Sequence, residues 1–172
     1  SLEVATVQQF TWAEALWDVE KFFDFIDLST VVHTALSTDV DYPLPQLALA
    51  LQVHCAPRRV ATGGAVSEKI WPRRSVLQGC GQSVDISRLA LWDTLDHIHN
   101  AYRPRQLQTW VDDIAHHEKG KEEVVIDNMI ATSGGLVRGL QSKGFRLSPK
   151  SVLLSNPPRV ARVIADALQQ QG

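Results

Sequence analysis

A carboxylate that closes an apolar run has given up part of its water and must be met by a cation. This chain has two such places: Asp18 after Ala15-Leu16-Trp17, and Asp112-Asp113 after Trp110-Val111. They stand 94 positions apart. Their oxygens can converge on a shared cation only if the strands that carry them are neighbours in one sheet. That adjacency is the strongest single constraint on the fold.

The pattern around the two runs alternates between periods of two and of 3.6 residues. Residues 2–10 have helical spacing, and 12–19 read as a strand. Asp27 or Ser29 caps a helix reaching Leu36, with Leu28, Val31, Val32 and Ala35 on one stripe. A turn region with Asp39, Asp41 and Pro43 follows, and Pro45 suits the first turn of a helix to about Cys55. Residues 58–62 and 65–70 form a hairpin about Gly63-Gly64. An amphipathic helix covers 83–100, and Pro104 stops it. A second hairpin, 107–111 with 114–117, places Asp112-Asp113 at its tip. A long helix over 122–143 is closed by Gly144. Residues 145–154 make a strand, and Pro157 or Pro158 opens a last helix to about Gln169. The expectation is one α+β domain over 1–172, with a mixed, mainly antiparallel sheet and helices on one face.

Composition restricts the function classes. Phosphate neutralisation supplies most of the affinity of a freestanding nucleic-acid binder, so such proteins are usually basic. This chain carries a formal charge of −2, which argues against a nucleic-acid grip of its own. Cys55 and Cys80 offer neither metal spacing nor a disulfide framework, so they read as thiols of a reducing compartment and the protein as intracellular, in cytoplasm or nucleus. No apolar run reaches the roughly 20 residues of a membrane span, and the first residues lack a secretion-signal pattern. Starting without Met, the chain reads as a segment of a longer protein.

Four motifs occur in a familiar order. They are Asp18-Val-Glu-Lys-Phe-Phe-Asp24, Leu77-Gln78-Gly79 before a helix, Trp110-Val111-Asp112-Asp113, and Gly144-Phe-Arg-Leu-Ser-Pro-Lys-Ser151. Together they resemble the palm of reverse transcriptases, nearest the group II intron and retroelement-like branch, over residues 12–155. The resemblance implies a palm with a ferredoxin-like core. It implies catalytic and metal-binding roles for Asp18, Asp112 and Asp113, with Asp18 and Asp112 the main ligands of two Mg²⁺ or Mn²⁺ ions. Phe23 would exclude a 2′-hydroxyl under the incoming sugar. Gln78 and Gly79 would lie along the nascent base pair, and Lys150 would assist the leaving pyrophosphate. The implied partners are an RNA or DNA template, a primer and deoxynucleotides, with most of the fingers before residue 1 and the thumb after residue 172. Three departures stand out: Leu77 for the usual proline, Cys80-Gly81-Gln82 for a small-Pro run, and Trp110 for Tyr or Phe.

The chemistry explains the residue types. In-line attack of a 3′-hydroxyl on an α-phosphate is stabilised by two cations roughly 3.5–4 Å apart, and Mg²⁺ requires hard oxygen ligands. Each motif also has a plainer reading. Asp112-Asp113 would suit a solvated hairpin tip, Phe23 a core ring beside Phe22 and Phe25, and Lys150 a surface position. Arg58, Arg59, Arg73 and Arg74 would either meet phosphates or form a solvated face. His116-His117-Glu118 is not a metal site, because adjacent side chains on a strand point to opposite faces. His97 and His99 are expected on the surface. Trp12, Trp17, Trp71 and Trp92 are expected in the core or against the sheet. A retroelement fragment kept as a non-catalytic nucleic-acid-binding scaffold is the alternative function. A viral RNA-dependent RNA polymerase palm is disfavoured by Val111, where that family has Gly, and by Phe23.

Overall fold

In the computed structural model, which describes residues 10–37 and 42–170, the alternation along β1 (Thr11–Asp18) resolves into two faces. Ala13 and Ala15 are buried on one, and Leu16 is exposed on the other. The chain divides into two compact units, Ser1–Glu20 with Thr94–Gly172, and Lys21–Asp93. The fold is α+β.

The first unit is built on a four-stranded sheet. β4 (Gln106–Trp110), β5 (Asp113–Gly120), β1 and β6 (Val152–Asn156) lie in that order, and every ladder is antiparallel. Two helices, α5 (Glu122–Ser142) and α6 (Pro158–Gln170), pack on the alanine face of β1. Val125, Met129, Val160 and Ile164 close over Ala13 and Ala15, with Trp17, Leu153 and Leu168 against them. Each such large side chain contributes about 1.5–3 kcal/mol on burial. The small alanines leave room for the helices to approach the strand.

α5 is bounded as the sequence predicts. Glu122 and Glu123 occupy its first turn, where the helix dipole favours negative charge. At its end Gly144 takes φ +82° while Phe145 N–H donates to the Leu140 carbonyl at 3.0 Å and Gly144 N–H to that of Gln141 at 2.9 Å. This is the paired bonding of a Schellman stop. Within α5, Gly135 lies against Tyr102, so that a Cβ there would come within 2.6 Å of the ring.

The second unit is mainly helical. It contains α1 (Phe22–Phe25), α2 (Leu28–Ser37), α3 (Leu44–His54) and the first half of α4 (Ser83–Tyr102), whose residues from Thr94 belong to the first unit. Of the two candidate caps for α2, Asp27 does the work: its Oδ1 accepts Ser29 N–H at 2.8 Å and Thr30 N–H at 3.4 Å, and also takes the Ser29 hydroxyl proton. Those bonds, with Arg74 at 3.6 Å, hold the Asp27 carboxyl below its usual range against a smaller opposing effect of burial. Thr34 Oγ1 donates to Asp93 Oδ2 at 3.2 Å, tying α2 to α4.

Several expectations are corrected. The first hairpin is not part of the main sheet. Its strands are only β2 (Ala61–Thr62) and β3 (Ala65–Val66), exposed throughout, and they form a separate two-stranded ribbon. Its predicted turn does form, with Gly63 at φ +54° and Gly64 at +87°. The strand expected over 145–154 begins later, at Val152, because 146–148 make only an isolated bridge to the end of β1 and a turn from Ser148 to Ser151 separates it from the ladder. Trp71 and Trp92 are 67% and 41% exposed rather than buried. The predicted turn at Asp39 and Asp41 lies outside the described residues, as does the predicted helix over 2–10 apart from Phe10.

Candidate active site at the end of β1

β1 and β5 run antiparallel with Asp18 directly opposite Asp113. Cross-strand partners carry their side chains on the same face, and this is the face turned away from α5 and α6. It also carries Leu16, Val152 and Leu154, each at least 40% exposed. The expected burial of the carboxylates is therefore corrected. The apolar residues beside them divide between two faces, leaving Asp18 and Asp112 half-buried and Asp113 exposed.

The β4–β5 connection is the two residues Val111 and Asp112, with Trp110 opposite Asp113. Only Val111 of the two has positive φ, at 61°, the sign pattern of a type II′ hairpin turn. A β-branched residue is strained in that conformation. Asp112 thus lies in the turn, and Asp113 is the first strand residue rather than part of the tip. The resemblance makes Asp112 a main ligand, whereas the register gives Asp113 the position facing Asp18.

The segment after α5 is knitted to the same strand end. Ser148 N–H donates to the Asp18 carbonyl at 2.8 Å, and Asp18 N–H donates to Ser151 Oγ at 3.2 Å. Glu20 N–H reaches the Arg146 carbonyl at 2.9 Å, and Val19 bridges Leu147. Lys150 N–H is held by Ser148 Oγ at 3.2 Å. Asp18, Asp113, Trp110 and Lys150 consequently line one concavity of about 710 Å³, which Asp112 does not line. Trp110 is 79% exposed there. Ser148 and Ser151 are the positioning residues that sequence reasoning missed. Their signal was membership of the fourth motif, around Lys150.

No family model matches this chain, and no curated protein matches it.

Among the described residues, no group of three His, Cys, Asp or Glu side chains is arranged to hold a metal ion. Asp18 and Asp113 still fit the chemistry of Mg²⁺, which is commonly held by one or two carboxylates together with waters and substrate phosphates.

Phe23, Gln78 and Gly79 belong to the second unit, where the structure brings their segments together. Val76 N–H donates to the Phe23 carbonyl at 2.8 Å, and Ser75 N–H to that of Ile26 at 3.0 Å. Phe23 is half-buried, edge-on to the buried Phe22 at 5.7 Å, and Gln78 and Gly79 are exposed. Gly79 takes φ +80° and has open space about its Cα. Behind this loop, the fully buried His54 accepts Leu77 N–H at Nδ1, 3.1 Å away. Burial, and secondarily Arg58, pushes the His54 pKa down. Its place in sequence was legible, since Leu47, Ala50 and His54 form one helical stripe.

His116 and His117 divide between faces as expected. His116 is buried, taking the Trp17 indole N–H at Nδ1 and placing Nε2 at 3.3 Å from Ser133 Oγ, which assigns the proton to Nε2. Burial, with a smaller effect of His117, lowers its pKa to about 4. It is a satisfied core histidine that fixes Trp17 beside Asp18.

Proposed function

We propose that this chain is the palm segment of an RNA-directed DNA polymerase, extending a primer with deoxynucleotides on an RNA or DNA template. The observation that carries the reading is the cross-strand pairing of Asp18 with Asp113, two carboxylates the sequence keeps 95 positions apart. Nothing in the packing of the sheet requires like charges to be opposed. When bound, two Mg²⁺ or Mn²⁺ ions would supply charge neutralisation at the reacting phosphate. Asp18 and Asp113 would hold them, with Asp112 supporting from the turn. Lys150 would present its ammonium to the departing pyrophosphate in the same concavity. The exposed Trp110 ring would lie against the primer end. Phe23 would exclude a 2′-hydroxyl, and Gln78-Gly79 would let the nascent pair pass a backbone free of Cβ.

Calorimetric titration with Mn²⁺ tests the site. Binding is expected, abolished by Asp18→Asn with Asp113→Asn and weakened less by Asp112→Asn; binding that survives the double change removes the metal site. Primer extension by the full-length protein tests the reaction, with Phe23→Ala expected to admit ribonucleotides. The position of Asp112 outside the concavity favours a second reading, a palm that binds nucleic acid without catalysis. An absence of Mn²⁺ binding would select it.

A further inference from the structure

The exposed Trp71 follows a hairpin that is held by its own backbone bonds and whose strands are exposed. Arg58 and Ile70 exchange both backbone bonds at 2.8 Å, and Ser67 N–H donates to the Val60 carbonyl at 2.9 Å. Between these pairs Glu68 and Lys69 oppose Arg59 alone, a bulge that increases the local twist. Over residues 58–74 the chain has Arg58, Arg59, Lys69, Arg73 and Arg74 against Glu68, a net +4 in a chain whose total is −2. Arg74 is turned to Asp27, and Arg58 donates to the His54 carbonyl at 3.3 Å. Arg59, Lys69 and Arg73 are exposed.

A merely solvated hairpin gains from the charges but not from an indole held in water between them. Guanidinium groups interleaved with an exposed flat ring are the chemistry of single-strand recognition, in which the cations track phosphates and the ring stacks on a base. We propose that the β2–β3 hairpin with Trp71 is a binding site for single-stranded nucleic acid, with a base on Trp71 and phosphates against Arg59, Lys69 and Arg73. This goes beyond the polymerase reading, since it requires neither a metal nor the carboxylates of β1 and β5.

The test is fluorescence anisotropy of a labelled thymidine oligonucleotide with the full chain, in EDTA, over a salt series. The affinity should fall with salt, and Arg59→Gln with Arg73→Gln should reduce the log–log slope by about 1.4, at about 0.7 per phosphate. Trp71→Ala should weaken binding about tenfold at unchanged slope, and Trp71→Phe should restore most of it. Asp18→Asn should bind like the parent, so failure of the polymerase reading leaves this site standing. Absence of binding at low salt would overturn the proposal. So would substituted proteins that keep the parent's circular dichroism and bind equally well, or loss of binding in Asp18→Asn. Capture by phosphatidylserine vesicles without oligonucleotide binding would assign the ridge to membranes and equally overturn it.

Discussion

At the scale of single residues, the opposed Asp18 and Asp113 set the proposed metal site against stability. Like charges directly opposed across an antiparallel pair are destabilising by a few tenths to 1 kcal/mol. Without metal, Asp18→Asn should therefore raise stability by about 0.5 kcal/mol in urea unfolding. A loss of stability would mean that the carboxylate is structural. His116 works in the opposite sense. Its folded pKa of about 4 lies below the ordinary 6.5, so the unfolded chain binds more protons between those values. The contribution of the neutral ring is complete above pH 6.5 and is lost as pH falls towards 4, about 3 kcal/mol in all. Urea midpoints measured across that window should fall in the parent and much less in His116→Gln. Equal falls would place the acid sensitivity elsewhere. The sequence placed His116 and His117 on opposite faces through the period of a strand. It could not say which face was inside, because that depends on where α5 lands.

Among the elements, the β4–β5 hairpin combines a legible position with an illegible conformation. The Trp-Val-Asp-Asp sequence marks a reversal, yet it lacks the glycine or asparagine that would reveal the turn type. A two-residue loop between twisted strands demands positive φ at its first position, and Val111 accepts it at 61°. Val111→Gly should relieve that strain and stabilise the protein by about 1 kcal/mol, allowing for glycine's larger unfolded entropy. An unchanged or lower midpoint would show that the valine is not strained. The segment after α5 shows the converse. Its apolar spacing reads as a continuous strand from Phe145, but Ser151 Oγ takes the Asp18 N–H and a turn from Ser148 to Ser151 separates the Val19–Leu147 bridge from the ladder. Side-chain hydroxyls that compete for backbone groups are the reason the strand begins late.

Over the whole molecule, the two units differ in how their backbone is covered. Met129 and Leu136 of α5 are fully buried, whereas β2 and β3 are exposed on both faces. Amide exchange should accordingly be slowest in α5 and β1 and fastest in the β2–β3 hairpin of the free chain; comparable protection would contradict the exposure of the hairpin. The amino-acid order by itself determined most elements, the turn at Gly63-Gly64 and the stop at Gly144, and narrowed the cap of α2 to Asp27 or Ser29. These follow from interactions within a few residues and from the 2.0 and 3.6 periods. Tertiary structure alone decided that Asp113 rather than Asp112 faces Asp18, that the first hairpin stays out of the main sheet, and that Trp71 is in water. Each depends on register and packing between segments far apart in the chain, and local periodicity carries no information about which distant strand will supply the hydrogen bonds.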